Sequence, residues 1–122
     1  MANRYWVGGA STNWGTFGNW ATTSGGAATA AVPTSSDDVF FDGNSGSGTV
    51  YVNSGSFVSV NANNVNFTGY TGTFNMGANN NTLNVYGSLT NGAGMTWTDT
   101  GSGSYIYFRG AANTITPNGV SM

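Results

Sequence analysis

Cysteine, histidine, lysine and glutamate are absent from this chain of 122 residues, and only six side chains carry a formal charge: Arg4, Arg109, Asp37, Asp38, Asp42 and Asp99. Each absence removes a class of chemistry. Without Cys or His there is no disulfide framework, no thiolate or imidazole metal site and no Ser-His-Asp or Cys-His arrangement. Without Lys there is neither a P-loop phosphate grip nor a Schiff base. Aspartate chemistry alone is left, so a non-enzymatic protein without a cofactor is expected. Asp99 paired with another aspartate is the one route to glycoside hydrolysis, and four Asp with no Glu make it a poor one. A net charge of −2 supplies no basic footprint for nucleic acid and no polybasic patch for anionic lipid, so neither nucleic acid nor membrane is an expected partner. No apolar run approaches the ~20 residues of a spanning helix, and residues 1–9 lack the apolar core of a signal peptide. The chain is therefore expected to act where it is made, to leave by lysis, or to derive from a longer exported protein.

What fills the chain is small, polar and uncharged: Gly (20), Asn (17), Thr (17) and Ser (13) make up more than half of it. Leu, Ile, Val and Phe number only 21, a poverty that usually accompanies disorder. Disorder also needs high net charge and few aromatics, whereas this chain has 4 Trp, 6 Tyr and 7 Phe. Such a chain packs or aggregates. Helix is disfavoured, because Gly, Asn, Thr and Ser are poor in helix interiors. The one tolerant stretch, 27–31, lies between Gly26 and Pro33 and is expected to be a loop.

From residue 49 onward short alternating apolar runs are separated by Gly and Asn, as in a protein of many short strands. Three runs share one form: Val65-Asn-Phe67-Thr-Gly69, Leu83-Asn-Val85-Tyr-Gly87 and Ile106-Tyr-Phe108-Arg-Gly110, with glycines 18 and 23 residues apart. Residues two apart on a strand face the same way, so each run offers one apolar pair inward before a glycine bend. Further runs lie at 73–76, 95–97 and 114–116, and Val50/Val52 with Val58/Val60 resemble an earlier, less regular coil. A repeat of about 20 residues with several short strands is one coil of a parallel β-solenoid. Asn and Thr can ladder where coils stack, while like charges there would repel. The expected fold is all-β: a short parallel β-solenoid (β-helix) over residues 49–122, with an aromatic-rich N-terminal cap and first strands over 1–48. An antiparallel β-sandwich or jelly roll is the alternative, since Asn63-Asn64, Asn79-Asn80-Asn81 and Asn118-Gly119 suit hairpins as well. In the cap, the five aromatics Tyr5, Trp6, Trp14, Phe17 and Trp20 are expected to form a lid over the first coil, whose bare edge needs cover.

The segments Arg4-Tyr-Trp-Val-Gly-Gly9, Asn19-Trp20, 32–42, 70–73, 83–90 and 113–116 together resemble the opening region of long Gly/Asn/Thr-rich β-helical proteins, found among tailed-phage structural proteins and related bacterial surface proteins. The resemblance carries no catalytic residues. It implies a virion structural role as a fibre, appendage or decoration protein, acting by assembly and adhesion. It also implies partners among other virion proteins and a location on the virion, or alternatively on the bacterial cell surface. Such chains continue with more coils, whereas this sequence closes on 118–122 without an evident cap, so a neighbouring chain or a longer parent is expected there. With little charge to repel neighbours, homo-oligomerisation is expected, as a trimer if the protein is a fibre. A filament-forming subunit is a further alternative.

Candidate sites follow from residue type. Trp14, Tyr51, Tyr70, Tyr86, Tyr105 and Tyr107 could stack on a host-surface glycan or form a protein contact. Core filling and cross-strand pairing are the competing roles, and for Trp6, Trp14 and Trp20 the lid is favoured. Asp37, Asp38 and Asp42, beside Gly43 and Asn44, supply oxygens of the kind calcium takes; their spacing fits no EF-hand loop, and turn-making is the competing role. Arg4 and Arg109 are the only cations.

Overall fold

The computed structural model describes residues 2–122. Strands β1 (Asn3–Trp6), β2 (Trp20–Ala21) and β3 (Asp38–Phe40) open the chain. They are followed by β4 (Thr49–Tyr51), β5 (Ser59–Ala62), β6 (Val65–Asn66), β7 (Thr73–Asn75), β8 (Thr82–Val85) and β9 (Leu89–Thr90). The last three are β10 (Thr96–Thr98), β11 (Tyr105–Phe108) and β12 (Ile115–Thr116). Among the described residues there is no helix, and the residues at 27–31 form a loop.

Every third strand stacks on its predecessor. Sheet A runs β12-β9-β6-β3-β1-β2, sheet B runs β10-β7-β4 and sheet C runs β11-β8-β5. All pairings are parallel except β1 with β2. The fold is a β-solenoid of about three turns, and the sandwich alternative is overturned by this parallel order.

The register corrects the repeat. Leu83 and Val85 do lie over Ile106 and Phe108 in sheet C. Val65, however, pairs with Val39 and Leu89 in sheet A. The partners preceding Leu83 and Val85 are Val60 and Ala62. Step lengths are therefore 23 residues in sheet C (Ser59 to Thr82 to Tyr105) and 26 then 24 in sheet A (Val39 to Val65 to Leu89). The apparent step of 18 compared two different faces. The glycines also differ in purpose. Gly69 is left-handed (φ 84°), whereas at Gly110 a Cβ would lie 2.2 Å from the Tyr86 carbonyl oxygen.

A conformational repeat confirms the 23-residue step at the corner between sheets B and C. Phe57, Asn80 and Gly103 occupy successive copies of this corner with φ of 62°, 59° and 75°. Gly tolerates the left-handed region freely, Asn tolerates it, and Phe is strained there.

The interior is a column of aromatic rings. Phe41 stacks on Phe67 with centroids 4.9 Å apart and planes 23° from parallel, one ring per coil. Phe74 and Trp97 meet edge to face at 5.0 Å. The first coil contributes the small residues Val50, Val52, Val60 and Ala62, all buried, and Trp6, Trp14 and Trp20 from the cap are buried with them. Trp20 and Trp14 touch edge to face at 5.1 Å, and the indole N–H of Trp20 donates to the Trp14 carbonyl at 2.7 Å. The cap imitates a coil: β1 lies parallel on β3, and Asn13 bridges Tyr51 in parallel over sheet B. Antiparallel β2 then ends sheet A. Of the expected lid the three tryptophans are buried over the first coil, whereas Phe17 is 67% exposed and Tyr5 lies outside against Phe40, so neither belongs to it.

Buried amides stitch the turns. Asn19 accepts from the Ala10 and Ser11 N–H groups, both at 3.0 Å, and donates to the Asn13 carbonyl at 2.9 Å. Asn81 accepts from the Val58 N–H at 2.9 Å and donates to the Gly55 and Met76 carbonyls at 2.8 and 3.0 Å. Each thus converts a corner's stranded main-chain groups into satisfied ones, which is why an amide is tolerated in the core.

Two outcomes are expected. Phe41→Ala removes the ring that touches Trp6, Trp14, Trp20 and Phe67, at a cost of ~3–5 kcal/mol read from urea unfolding. Phe57→Asn relieves left-handed strain at an exposed position and raises stability by ~0.5–1 kcal/mol, read as a higher thermal midpoint.

Candidate functional site

Along β11 the chain alternates outward Tyr105 and Tyr107 with Ile106 and Phe108, which pack against the core. The outward rings stack on each other, with centroids 5.7 Å apart and planes 25° from parallel, and are 57% and 45% exposed. Arg109 extends the row: its guanidinium lies 4.9 Å from the centre of the Tyr107 ring, within cation–π range. The guanidinium is held there by its Nε donating to Asn84 Oδ1 at 2.5 Å. Asn84 in turn donates to Asn61 Oδ1 at 3.2 Å, so an amide ladder across three coils positions the cation. Tyr86, 39% exposed, stands at the register position next to Arg109, just past the Phe108–Val85 pair. The outer face of sheet C therefore gathers Tyr86, Tyr105 and Tyr107 with Arg109. Phe57, 79% exposed, sits at the corner bordering that face.

The other aromatic candidates go elsewhere. Trp14 and Tyr70 are fully buried and present no ring face to solvent. Both are core residues, correcting their reading as contact residues. Trp14 packs against Trp20, Phe41 and Phe74, and its indole N–H has no hydrogen-bond partner. Tyr70 turns inward from its corner and places its hydroxyl 3.1 Å from each of the Gly48 and Thr73 carbonyl oxygens, which share its one proton. Tyr51 is half-buried on sheet B.

The three aspartates are engaged with the chain's own donors. Asp37 accepts from the Thr34 N–H and hydroxyl at 2.8 and 3.0 Å and from the Ala2 N–H at 3.2 Å. Burial works to raise its pKa, but those bonds, with Arg4 nearby, outweigh burial and hold it below the ordinary 3.8. Asp38 accepts from the side-chain amides of Asn63 and Asn64 at 2.9 and 3.1 Å. Asp42 accepts from the Ser24 hydroxyl at 2.6 Å and the Asn44 N–H at 2.9 Å. Among the described residues no group of three acidic side chains is placed to hold a metal ion; Asp37 and Asp42 bond the local turns through Thr34 and Asn44, whereas Asp38, on β3, bridges to the next coil.

Two outward aromatics, Phe40 and Phe57, are not singled out by the sequence. Phe40 faces outward between inward Val39 and Phe41, and stacks on Tyr5 at 4.8 Å and 17°. Strict alternation along 39–41 would have found it. Arg109's place over Tyr107 follows from the same alternation, because residues 105, 107 and 109 share a face. No family model matches the chain, and neither a curated protein nor a solved structure matches it.

The buried tyrosine sets an alkaline limit. Desolvation raises the Tyr70 pKa from 10.0 to about 12. Between these values the unfolded chain holds fewer protons than the folded one, so this contribution is complete below pH 10 and declines as pH climbs toward 12. Asp37 acts at the other end: its contribution is present above 3.8 and is lost as pH falls through the lowered value. Thermal melts of Tyr70→Phe should show a shallower decline between pH 10 and 12 than the unmodified chain. At neutral pH the variant should be about 1 kcal/mol less stable for the lost hydroxyl bonds.

Proposed function

We propose that the chain is a non-enzymatic virion structural module of a tailed phage, a fibre, appendage or decoration element, acting by assembly with itself and other virion proteins and by adhesion to a host-surface glycan. The observation that carries the adhesive part is the outer face of sheet C. Stacked, exposed Tyr105 and Tyr107 with Arg109 over one ring form a flat platform whose rings suit sugar faces and whose tyrosine hydroxyls suit sugar hydroxyls. A nearly uncharged surface fits an uncharged polyol ligand better than a phosphate or a nucleic acid. The resemblance of the opening segments to phage β-helical proteins supports the structural part.

A second reading, a carbohydrate-binding or adhesin domain of a bacterial surface protein, draws on the same tyrosine face and differs only in what carries the module. An end-to-end filament is less well supported, because the tryptophan cap and antiparallel β2 close one end of the solenoid.

Binding to a glycan array and to extracted bacterial envelope polysaccharide tests the contact. Tyr107→Ala should weaken binding roughly threefold to tenfold while circular dichroism stays unchanged. Absence of any binding, or binding indifferent to Tyr107 and Tyr105, would remove the adhesive role. Capsid and tail genes beside the reading frame are the genomic setting the virion assignment expects; adhesin or secretion genes there favour the second reading.

A further inference from the structure

The two ends of the solenoid are unlike. At the first coil the cap covers the core; at the last, β11 has β8 on one side and, among the described residues, no strand on the other. Beside this free edge lies a hollow of about 430 Å³ floored by Met76, Trp97, Ile106 and Met122. The phase of the edge is fixed. Tyr105 and Arg109 donate their N–H groups to the Asn81 and Val85 carbonyls of the coil before, so by alternation Tyr107 also faces β8. The main-chain groups of Ile106 and Phe108 point away, unpaired within the ladder.

We propose that this edge takes a second copy of the same chain, β11 against β11 in antiparallel order about a twofold axis through Tyr107. The proposal rests on the reading of the chain as an assembling module and narrows it to one contact. This register satisfies the free groups of β11 within the strand itself: Ile106 exchanges hydrogen bonds with the partner's Phe108, and Phe108 with the partner's Ile106. Side chains then match on both faces. Inward, Ile106 meets Phe108. Outward, Tyr107 meets its own copy and Tyr105 meets Arg109, repeating across the axis the cation–ring contact seen within one chain.

Charge favours the same occupant. Between Asp42 and the chain's last residue only Asp99 and Arg109 are charged, and they stand before and after β11. A twofold axis across β11 carries each toward the side that bears its opposite. A head-to-tail neighbour would instead have to displace the cap, which a self-complementary pairing leaves in place. It also joins two tyrosine platforms into one strip.

Because the chain has no cysteine, single substitutions report the register directly. Residues facing each other in a non-hydrogen-bonded antiparallel pair lie within disulfide reach. Tyr107→Cys should therefore oxidise to a disulfide dimer as its main product, and at least tenfold faster than Tyr51→Cys on sheet B. A mixture of Tyr105→Cys and Arg109→Cys should cross-link to each other in preference to themselves. Sedimentation of the unmodified chain should give twice its 12.5 kDa. A monomer, a trimer, or a dimer whose Tyr107→Cys form cross-links no faster than Tyr51→Cys would overturn the pairing. A monomer that still binds glycan leaves the adhesive reading standing, and a dimer that binds none removes that reading alone.

Discussion

Each coil lies on the one before it at the spacing of a hydrogen-bonded strand pair, ~4.8 Å, so every side chain must tolerate what occupies the same position one coil away. This constraint governs the composition. Two like charges at that spacing repel by about 1 kcal/mol even in water, and by more where burial lowers the dielectric. An amide suffers no such penalty, since its donor and acceptor can each serve a neighbour, as Asn84 serves Asn61 on one side and Arg109 on the other. Aromatic rings gain from the same spacing, as the Phe41 and Phe67 stack shows.

The constraint lapses only where stacking stops, and the ends solve that problem differently. At the first coil small aliphatic residues leave a volume that the three cap tryptophans fill, while Asn19 folds the connecting loop by serving four groups at once. At the last coil the aromatic column ends at Asn91, which follows Phe41 and Phe67 in the sheet A register. This buried amide accepts from the indole N–H of Trp97 at 2.9 Å. A polar residue there ends the ring stack.

How much of this was legible in the sequence depended on whether a residue lies on a strand or at a corner. Alternation gave the inward pairs Leu83/Val85 and Ile106/Phe108 and their 23-residue relation correctly. It could not tell which face a pair belongs to, because an apolar-x-apolar run reads the same on all three sheets. Val65 and Phe67 were accordingly aligned with sheet C when they belong to sheet A. At corners alternation has no meaning at all. Tyr70 looked like a surface ring because it follows Gly69, yet the turn directs it into the core, where two carbonyls receive its hydroxyl. The left-handed corner carrying Phe57, Asn80 and Gly103 was hidden because three dissimilar residues share one backbone conformation. The strained member is conspicuous only beside its copies.

The placement of charge follows from the same spacing rule. From Asp42 to Asp99 no charged residue occurs, so the middle coil, which has neighbours on both sides, is wholly uncharged. Arg4 and the three early aspartates belong to the cap and first coil. There Asp38 lies beside Asn63 and Asn64 of the next turn rather than beside another carboxylate. Arg109 likewise has Tyr86, not a cation, at its position in the coil before. Charge is thus confined to the cap, the first coil and the last, and at the last layer it comes as one anion and one cation. A layer prepared in that way repels neither itself nor the coil it rests on.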